Sequence, residues 1–136
     1  MEQPAESGYV DRPDYRIEII RRRNRITARF GDIALAETER CLVLDEQDHG
    51  LVFYFPVADV RMAELVTSDL RTFCPFKGVA SYWSLTGGRG GDAGQDLVWG
   101  YEHPYEEMAR IKDHVAFYQD RVSVEVGVAP RKLAPS

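Results

Sequence analysis

Residues 15–30 have the sequence YRIEIIRRRNRITARF, and this stretch contributes most to the predicted fold. Apolar side chains alternate with polar ones from Tyr15 to Ile19 and again from Ile26 to Phe30, on either side of an Arg-Arg-Arg-Asn break. A period of two residues is typical of strands that have one buried face. We therefore predict two strands that form a hairpin.

Further segments extend this pattern along the chain. Residues alternate, or form short apolar runs bounded by turn residues, at 33–37, 41–45, 51–55, 80–86, 96–101, 114–118 and 121–126. Only residues 104–112 have helical spacing, with Pro104 at a plausible first helical position. We predict a mainly β protein, a compact antiparallel β-barrel or folded sheet with one short α-helix in its C-terminal half. The last two segments are expected to form a hairpin.

The length and composition fit one domain. A chain of 136 residues with 44% hydrophobic residues can bury a single core. The first fourteen residues and the last ten have no sustained apolar period. We predict an N-terminal tail at 1–14, a single β-rich domain at 15–126 and a C-terminal tail at 127–136.

The charge distribution argues against nucleic acid as a partner. The net charge is −5, and the one basic run is Arg21–Arg23, with Arg25 close behind. This pattern gives no basic footprint for a phosphate backbone. We interpret the run as the solvated end of a hairpin rather than as an anion site.

Neither a membrane segment nor a secretory signal is predicted. The longest apolar run is far short of the roughly 20 residues that a spanning helix needs, and the start of the chain has no signal-peptide pattern. Cys41 and Cys74 are far apart in the sequence. We expect reduced thiols, a cytoplasmic location and no contact with a membrane.

Motifs for metals and cofactors are weak. The two cysteines and three histidines are isolated from one another, so we expect no metal site. Residues 88–93 fit the glycine spacing of a dinucleotide-binding loop, but a predicted strand follows them where a helix is needed. We predict a flexible surface loop and no cofactor.

Cys74 and Lys77 are the candidate catalytic residues. An ammonium group near a cysteine favours the nucleophilic thiolate, although a half-buried cysteine at a Pro-containing turn can also act as a small hydrophobe. Lys77 could bind an anionic or carbonyl group, with Gly78 allowing close approach and Thr72 offering a hydroxyl. The alternative is a surface lysine whose stem covers apolar residues.

Aromatic side chains with polar tips could line a pocket for a flat or amphiphilic ligand. The candidates are Tyr54, Tyr82, Trp83, Trp99 and Tyr101. Core packing explains most of them equally well. By alternation, Trp99 and Tyr101 share one face of their strand, whereas Tyr82 and Trp83 point to opposite faces.

Six blocks, in their order along the chain, resemble the family known as domain of unknown function 427. They are Tyr54-Phe55-Pro56, Asp59-Val60, Thr72-Phe73-Cys74-Pro75-Phe76-Lys77-Gly78, Tyr82-Trp83, Trp99-Gly100-Tyr101-Glu102-His103-Pro104 and Phe117-Tyr118. The resemblance spans roughly Tyr15 to Val126 and implies a compact, mostly β domain, similar to the β-tent group, without implying an activity. The family sometimes carries a nucleotidyltransferase label, but this chain lacks the Gly-Ser motif and the paired aspartates that metal-dependent nucleotidyl transfer needs.

Three hypotheses about function remain open. The first is a domain that binds an unidentified small molecule through Tyr54, Asp59, Thr72, Cys74, Lys77, Tyr82, Trp83, Trp99 and Tyr101. Lys77 would hold an anionic or carbonyl group, and Asp59 would accept a hydrogen bond. The second is an enzyme that acts on a carbonyl, acyl or nucleotide-like substrate through Cys74 or Lys77, with His103 or His114 as general base. The third is a non-catalytic interaction module, for which a homodimer is left open.

Overall fold

The computed structural model describes residues 1–128, which form two antiparallel sheets. The larger sheet has seven strands, in the order β1 (Ile17–Arg22), β4 (Cys41–Glu46), β5 (Leu51–Pro56), β9 (His114–Phe117), β8 (Val98–Gly100), β7 (Gly78–Leu85) and β6 (Leu65–Cys74). The smaller sheet has the order β10 (Ser123–Val126), β2 (Ile26–Phe30) and β3 (Ile33–Thr38). The prediction of a mainly β, antiparallel protein is confirmed.

The larger sheet is open and curled. Its edge strands β1 and β6 do not pair with each other within residues 1–128, so the barrel alternative is wrong. The sheet nevertheless bends back on itself, because Ile17 and Ile19 of β1 pack in the same apolar cluster as Tyr82 of β7. The right-handed twist that accumulates between neighbouring strands produces such curvature.

The stretch at residues 15–30 divides between the two sheets. Strand β1 pairs with β4, with Ile19 opposite Leu44, whereas β2 pairs with β3 and β10. Both predicted strands exist, but the predicted hairpin is wrong. Alternation specifies which face of a strand is buried and does not specify its partner. The arginine run therefore lies where the chain crosses from one sheet to the other.

The last two strands of the chain likewise lie in different sheets. Strand β9 lies between β5 and β8 in the larger sheet, while β10 pairs with β2 in the smaller one. A turn in which the Val122 amide donates to the Tyr118 carbonyl at 2.9 Å carries the chain between the sheets. The predicted hairpin of residues 114–118 and 121–126 is therefore wrong for the same reason.

The predicted α-helix at 104–112 is also wrong. Residues Glu106–Ile111 form 3₁₀ turns, with a break at Met108, whose φ is −114° and ψ is 21°. Met108 and Ile111 are buried, and residues three apart lie on one side of a 3₁₀ turn much as they do on an α-helix. Apolar spacing alone could not distinguish the two. No helix in residues 1–128 is long and apolar enough to cross a membrane.

Strand β6 was not predicted from the sequence. Most of its ten residues are exposed, because it is an edge strand that pairs only with β7, and its register shifts between Thr67 and Arg71. It therefore lacks the apolar alternation by which strands are recognised. The 3₁₀ turns Val57–Asp59 and Met62–Glu64 precede it.

Two apolar clusters lie on the two faces of the larger sheet. The cluster between the sheets includes Ile26, Leu35, Phe55, Leu97, Val115, Phe117 and Val122. The other cluster covers the opposite face, which we call the aromatic face, and includes Leu42, Leu44, Tyr54, Tyr82, Tyr101, Met108, Ile111 and Ala116. Burial of each such large side chain contributes about 1.5–3 kcal/mol. Both faces of the larger sheet are thus covered.

The structure describes the whole predicted N-terminal tail but only the first two residues of the predicted C-terminal tail. Within residues 1–14, the Gly8 amide donates to the Pro75 carbonyl at 2.8 Å, so this segment contacts the turn between β6 and β7. Of the predicted C-terminal tail, residues 129–136 lie outside the described part of the chain.

Candidate functional site

Strand register places three of the predicted aromatic residues in one row. Tyr54 on β5 and Trp99 on β8 both lie opposite Ala116 on β9, and Tyr82 on β7 lies opposite Trp99. Residues directly opposite in neighbouring strands point to the same side of a sheet. Tyr101 follows Trp99 by two residues and joins the same cluster. The structure thus brings these four side chains together on the aromatic face.

Hydroxyl groups and aromatic rings are in contact within this apolar cluster. The Tyr82 hydroxyl and the Thr72 hydroxyl are 2.8 Å apart. The rings of Tyr54 and Trp99 meet edge to face, with centroids 6.4 Å apart, and the ring centroids of Tyr118 and Trp99 are 4.6 Å apart. Burial raises the pKa of Tyr54, Tyr101 and Tyr118, the last to about 12. These hydroxyls therefore stay protonated at neutral pH and can donate hydrogen bonds.

A buried ion pair lies at one end of this face. The Lys77 ammonium, in the turn between β6 and β7, is hydrogen-bonded to the Glu46 carboxylate at the end of β4. The side chains are only 9% and 14% exposed. Cys74 Sγ is 3.8 Å from Lys77 Nζ. The two predicted catalytic residues thus lie in contact, and Cys74 packs against the cluster of aromatic side chains.

Glu46 is the centre of a wider group. The Tyr15 hydroxyl donates to Glu46 Oε2, and His49 Nε2 lies 3.6 Å from the same oxygen. Burial raises the pKa of Glu46, but the hydrogen bonds from Lys77 and Tyr15 outweigh that effect and hold its pKa below the usual value. Burial and the bond to Glu46 raise the pKa of Tyr15. Glu46 is therefore a carboxylate at neutral pH.

The N-terminal residues cover the turn that carries Lys77. The Tyr15 ring stacks on Phe76 with centroids 3.8 Å apart, and the Tyr9 ring meets Phe76 edge to face with centroids 5.0 Å apart. The Gln3 Oε1 atom accepts a hydrogen bond from the Val79 amide at 2.8 Å. We call residues 3–15 the N-terminal cover. Together with β4 and the β6–β7 turn, this segment encloses the Lys77–Glu46 pair.

Two of the predicted ligand-binding residues lie elsewhere. Asp59 accepts hydrogen bonds from Thr38 at 2.7 Å and from Arg40 at 3.1 Å, and the bond from Thr38 is the main reason that its pKa lies below the usual value. Arg40 precedes β4 and Glu46 ends it. At roughly 3.4 Å per residue, the two ends are about 20 Å apart. Asp59 therefore cannot share a small ligand with Lys77 in this conformation.

Trp83 points away from the aromatic face, as alternation with Tyr82 predicted. It lines a cleft of about 270 Å³ whose walls include His103 and His114. His114 Nδ1 is 2.8 Å from the Lys112 carbonyl. The two histidines named as candidate bases thus border a cleft with Trp83, and Cys74 is not among the residues that line it.

Glu46, Tyr15 and His49 belong to the site and were not predicted as site residues. Glu46 lies next to a turn of polar residues, where a carboxylate is ordinary, so the local sequence gives no sign of its role. Its contact with Lys77 depends on the curl of the larger sheet, which no sequence motif encodes. Cys74 and Lys77 were found because a lysine and a cysteine within one aromatic, Pro-containing turn are unusual.

The donor atoms do not suggest a metal centre. Within residues 1–128, no three His, Cys, Asp or Glu side chains form a group that could hold a metal ion. The groups near Lys77 are a carboxylate, a thiol, an ammonium and phenols, which suit hydrogen bonding to an organic molecule.

These features define the class of protein. It is a mainly β protein of two antiparallel sheets, whose larger sheet carries an aromatic face with a buried lysine–glutamate pair at one end. The chain belongs to the family of the domain of unknown function DUF427, whose model matches residues 18–127. The resemblance seen in the sequence blocks is thereby confirmed. No curated protein matches the chain.

Proposed function

We propose that this protein binds a small molecule at the Lys77 end of the aromatic face. The observation that carries the proposal is the buried pair of Lys77 and Glu46, with the Cys74 thiol beside it. Burying two charges costs several kcal/mol per ion, and well-packed apolar residues often stabilise a fold as much or more. A pair retained at this position is therefore better explained by binding than by stability alone.

The hydrogen-bonding capacity of Lys77 supports a ligand. An ammonium has three N–H donors, and within residues 1–128 its acceptors are Glu46 and Cys74. One donor is left for a ligand oxygen. Because Glu46 already neutralises the ammonium, a neutral carbonyl oxygen suits the position better than a free anion does.

The aromatic face supplies the rest of the site. Tyr54, Tyr82 and Trp99 would provide apolar walls, while the hydroxyls of Thr72 and Tyr101 would bond polar groups of the ligand. The proposed site omits Asp59 and Trp83, since they lie elsewhere. The class of ligand is accordingly a partly apolar molecule that carries a carbonyl group.

The ligand would enter by displacement of the N-terminal cover. This segment is held by individual hydrogen bonds outside the sheets, among them the Gly8 amide bonded to Pro75 in the β6–β7 turn and the Ser7 hydroxyl bonded to Glu107 in the 3₁₀ turns at 2.9 Å. A terminal segment of this kind opens at a lower free-energy cost than the sheets do. Replacement of the cover by a ligand is thus a local change that leaves both sheets intact.

The test is native mass spectrometry of protein purified from its own host. We expect a retained small mass in the wild type that is lost from the double variant Lys77→Met with Glu46→Gln, which removes both charges together. The exposed Lys112 serves as the matched control, and Lys112→Met should retain the mass. A mass that persists in the double variant, or that is absent from the wild type in every extract, contradicts the proposal.

An enzyme that uses Cys74 is the second candidate, and it is favoured by the 3.8 Å contact between Cys74 and Lys77. The attacking form would be the thiolate of Cys74, with the Lys77 ammonium beside the sulfur. The cytoplasmic location expected from the sequence would keep the thiol reduced. If Cys74 is the nucleophile, iodoacetamide should alkylate it rapidly in the wild type and more slowly in Lys77→Met. An inert thiol in the folded protein argues against catalysis.

A further inference from the structure

A recess lies on the aromatic face beyond Tyr54, at the ends of the strands that are opposite to the Lys77–Glu46 pair. Its floor is formed by Leu42 and Pro56, and its volume is about 300 Å³. Arg21, Arg40, Arg110 and His114 surround the floor. These residues come from β1, the β3–β4 turn, the 3₁₀ turns at Glu106–Ile111 and β9. We call this recess the arginine recess.

Strand register explains why the arginines converge. Arg21 lies opposite Leu42 in the β1–β4 pair, so both point to the aromatic face, and Arg40 lines the same recess from the β3–β4 turn. His114 lies opposite Pro56 in the β5–β9 pair. The floor of the recess at Leu42 is four residues from Glu46 along β4, or about 14 Å at roughly 3.4 Å per residue.

The charges around the recess are largely uncompensated. Its lining contains no Asp or Glu. Within residues 1–128, Arg21 forms no ion pair, and Arg110 donates to the Ile19 carbonyl at 3.3 Å rather than to a carboxylate. Arg40 uses one nitrogen for Asp59. In a chain with a net charge of −5, three guanidinium groups around one apolar floor form a local concentration of positive charge.

A neighbouring depression extends this positive surface. It has a volume of about 530 Å³ and is lined by Arg21, Arg23, Glu39 and Arg40. It shares Arg21 and Arg40 with the arginine recess. The basic run that the sequence suggested as a solvated hairpin end is thus part of a concave surface, because β1 and β2 belong to different sheets.

We propose that the arginine recess binds a small organic phosphate. The planar guanidinium group forms paired hydrogen bonds with phosphate oxygens. Because Arg40 is paired with Asp59, the two remaining guanidinium groups, those of Arg21 and Arg110, match the charge of a phosphate dianion. The floor of Leu42 and Pro56 would contact an apolar group attached to the phosphate. This inference is independent of the function proposed above, since it concerns other residues at the opposite end of the strands.

The test uses phenyl phosphate as the probe and the full chain labelled with ¹⁵N. We expect saturable binding with the largest amide shifts at Leu42 and His114, and little binding of benzyl alcohol, which lacks the charge. Arg21→Gln and Arg110→Gln should each weaken binding about tenfold, as expected for loss of a charged hydrogen bond.

The matched control is Arg29→Gln, which makes the same change in net charge on the smaller sheet. Arg29 is bonded to Glu125 at 3.1 Å, so its loss should change binding less than about twofold if the site is local. Absence of saturable binding, or an equal loss in Arg29→Gln and Arg21→Gln, overturns the proposal. Arg21 and Arg110 are exposed and Arg29 is partly exposed, so each variant should still give the amide spectrum of a folded protein.

Discussion

Lys77 and Glu46 are 31 residues apart in the sequence, yet their side chains are hydrogen-bonded and almost completely buried. Three strands, β5, β9 and β8, lie between β4 and β7 in the sheet. The contact therefore spans the curl of the larger sheet rather than joining neighbouring strands. Because the pair closes that curl, it links the fold to the candidate site, and its removal should affect both.

Removing one member of the pair should be more damaging than removing both. We expect Lys77→Met or Glu46→Gln to lower the free energy of unfolding by about 2–4 kcal/mol, because each leaves a buried charge without its partner. The double variant should lose less than the sum, with a coupling energy above about 1 kcal/mol in urea unfolding. The exposed pair Arg29 and Glu125 is the control and should couple by less than about 1 kcal/mol. Additive losses at Lys77 and Glu46 would contradict the account.

The stability should depend on pH through Glu46. Its pKa is lowered in the folded protein, so the unfolded state binds more protons as the solution becomes acidic, and stability falls with pH. The contribution is fully present above the ordinary glutamate pKa of about 4.3 and is lost as pH falls through the lowered value. The difference in urea midpoint between wild type and Glu46→Gln should shrink from pH 7 to pH 3. A difference that stays constant over this interval would show that the charge of Glu46 does not contribute to the stability.

Deleting residues 1–12 should expose the site without unfolding the sheets. We expect alkylation of Cys74 by iodoacetamide to become at least about tenfold faster, since the contacts of residues 3–12 would be lost while those of Tyr15 remain. Cys41 is an internal control, because it is fully buried and burial raises its pKa to about 12. It should stay unreactive. If both thiols react, the deletion has unfolded the protein, and if neither rate changes, the segment does not restrict access.

Gly94 should be intolerant of a side chain. A Cβ atom added there would lie 2.0 Å from the Arg89 carbonyl oxygen, whereas one added at Gly50 would meet nothing within 4 Å. We expect Gly94→Ala to cost more than about 2 kcal/mol and Gly50→Ala less than about 1 kcal/mol in thermal or urea unfolding. The structure has 3₁₀ turns at Thr86–Gly88 and Gly91–Gly94 in this loop, and equal effects of the two substitutions would instead support the flexible loop predicted from its glycine content.

The positions of most strands could be predicted from alternation, but their partners could not. β1 and β2 are both where the period of two places them, and they lie in different sheets. Side-chain period is a local property, whereas pairing is decided by which buried faces fit together. Strand β6 was missed because an exposed edge strand has no buried face to produce a period.

The candidate site was predictable only in part. Cys74 and Lys77 are close in sequence, and Tyr54, Tyr82, Trp99 and Tyr101 could be assigned to strands, so local reasoning reached them. Glu46, Tyr15 and His49 join the site only through tertiary contacts. Asp59 was included by its place in a sequence block, and the structure pairs it instead with Arg40.

The central claim is that a ligand binds beside Lys77 and Cys74, and protection of the Cys74 thiol tests it most directly. The rate of Cys74 alkylation would be measured in full-length protein with and without the small-metabolite fraction of a host extract, with the Lys77→Met, Glu46→Gln variant alongside. We predict that the extract slows alkylation in the wild type and has no effect in the variant. An unchanged rate in wild-type protein that retains a small mass would place the ligand elsewhere and contradict the claim.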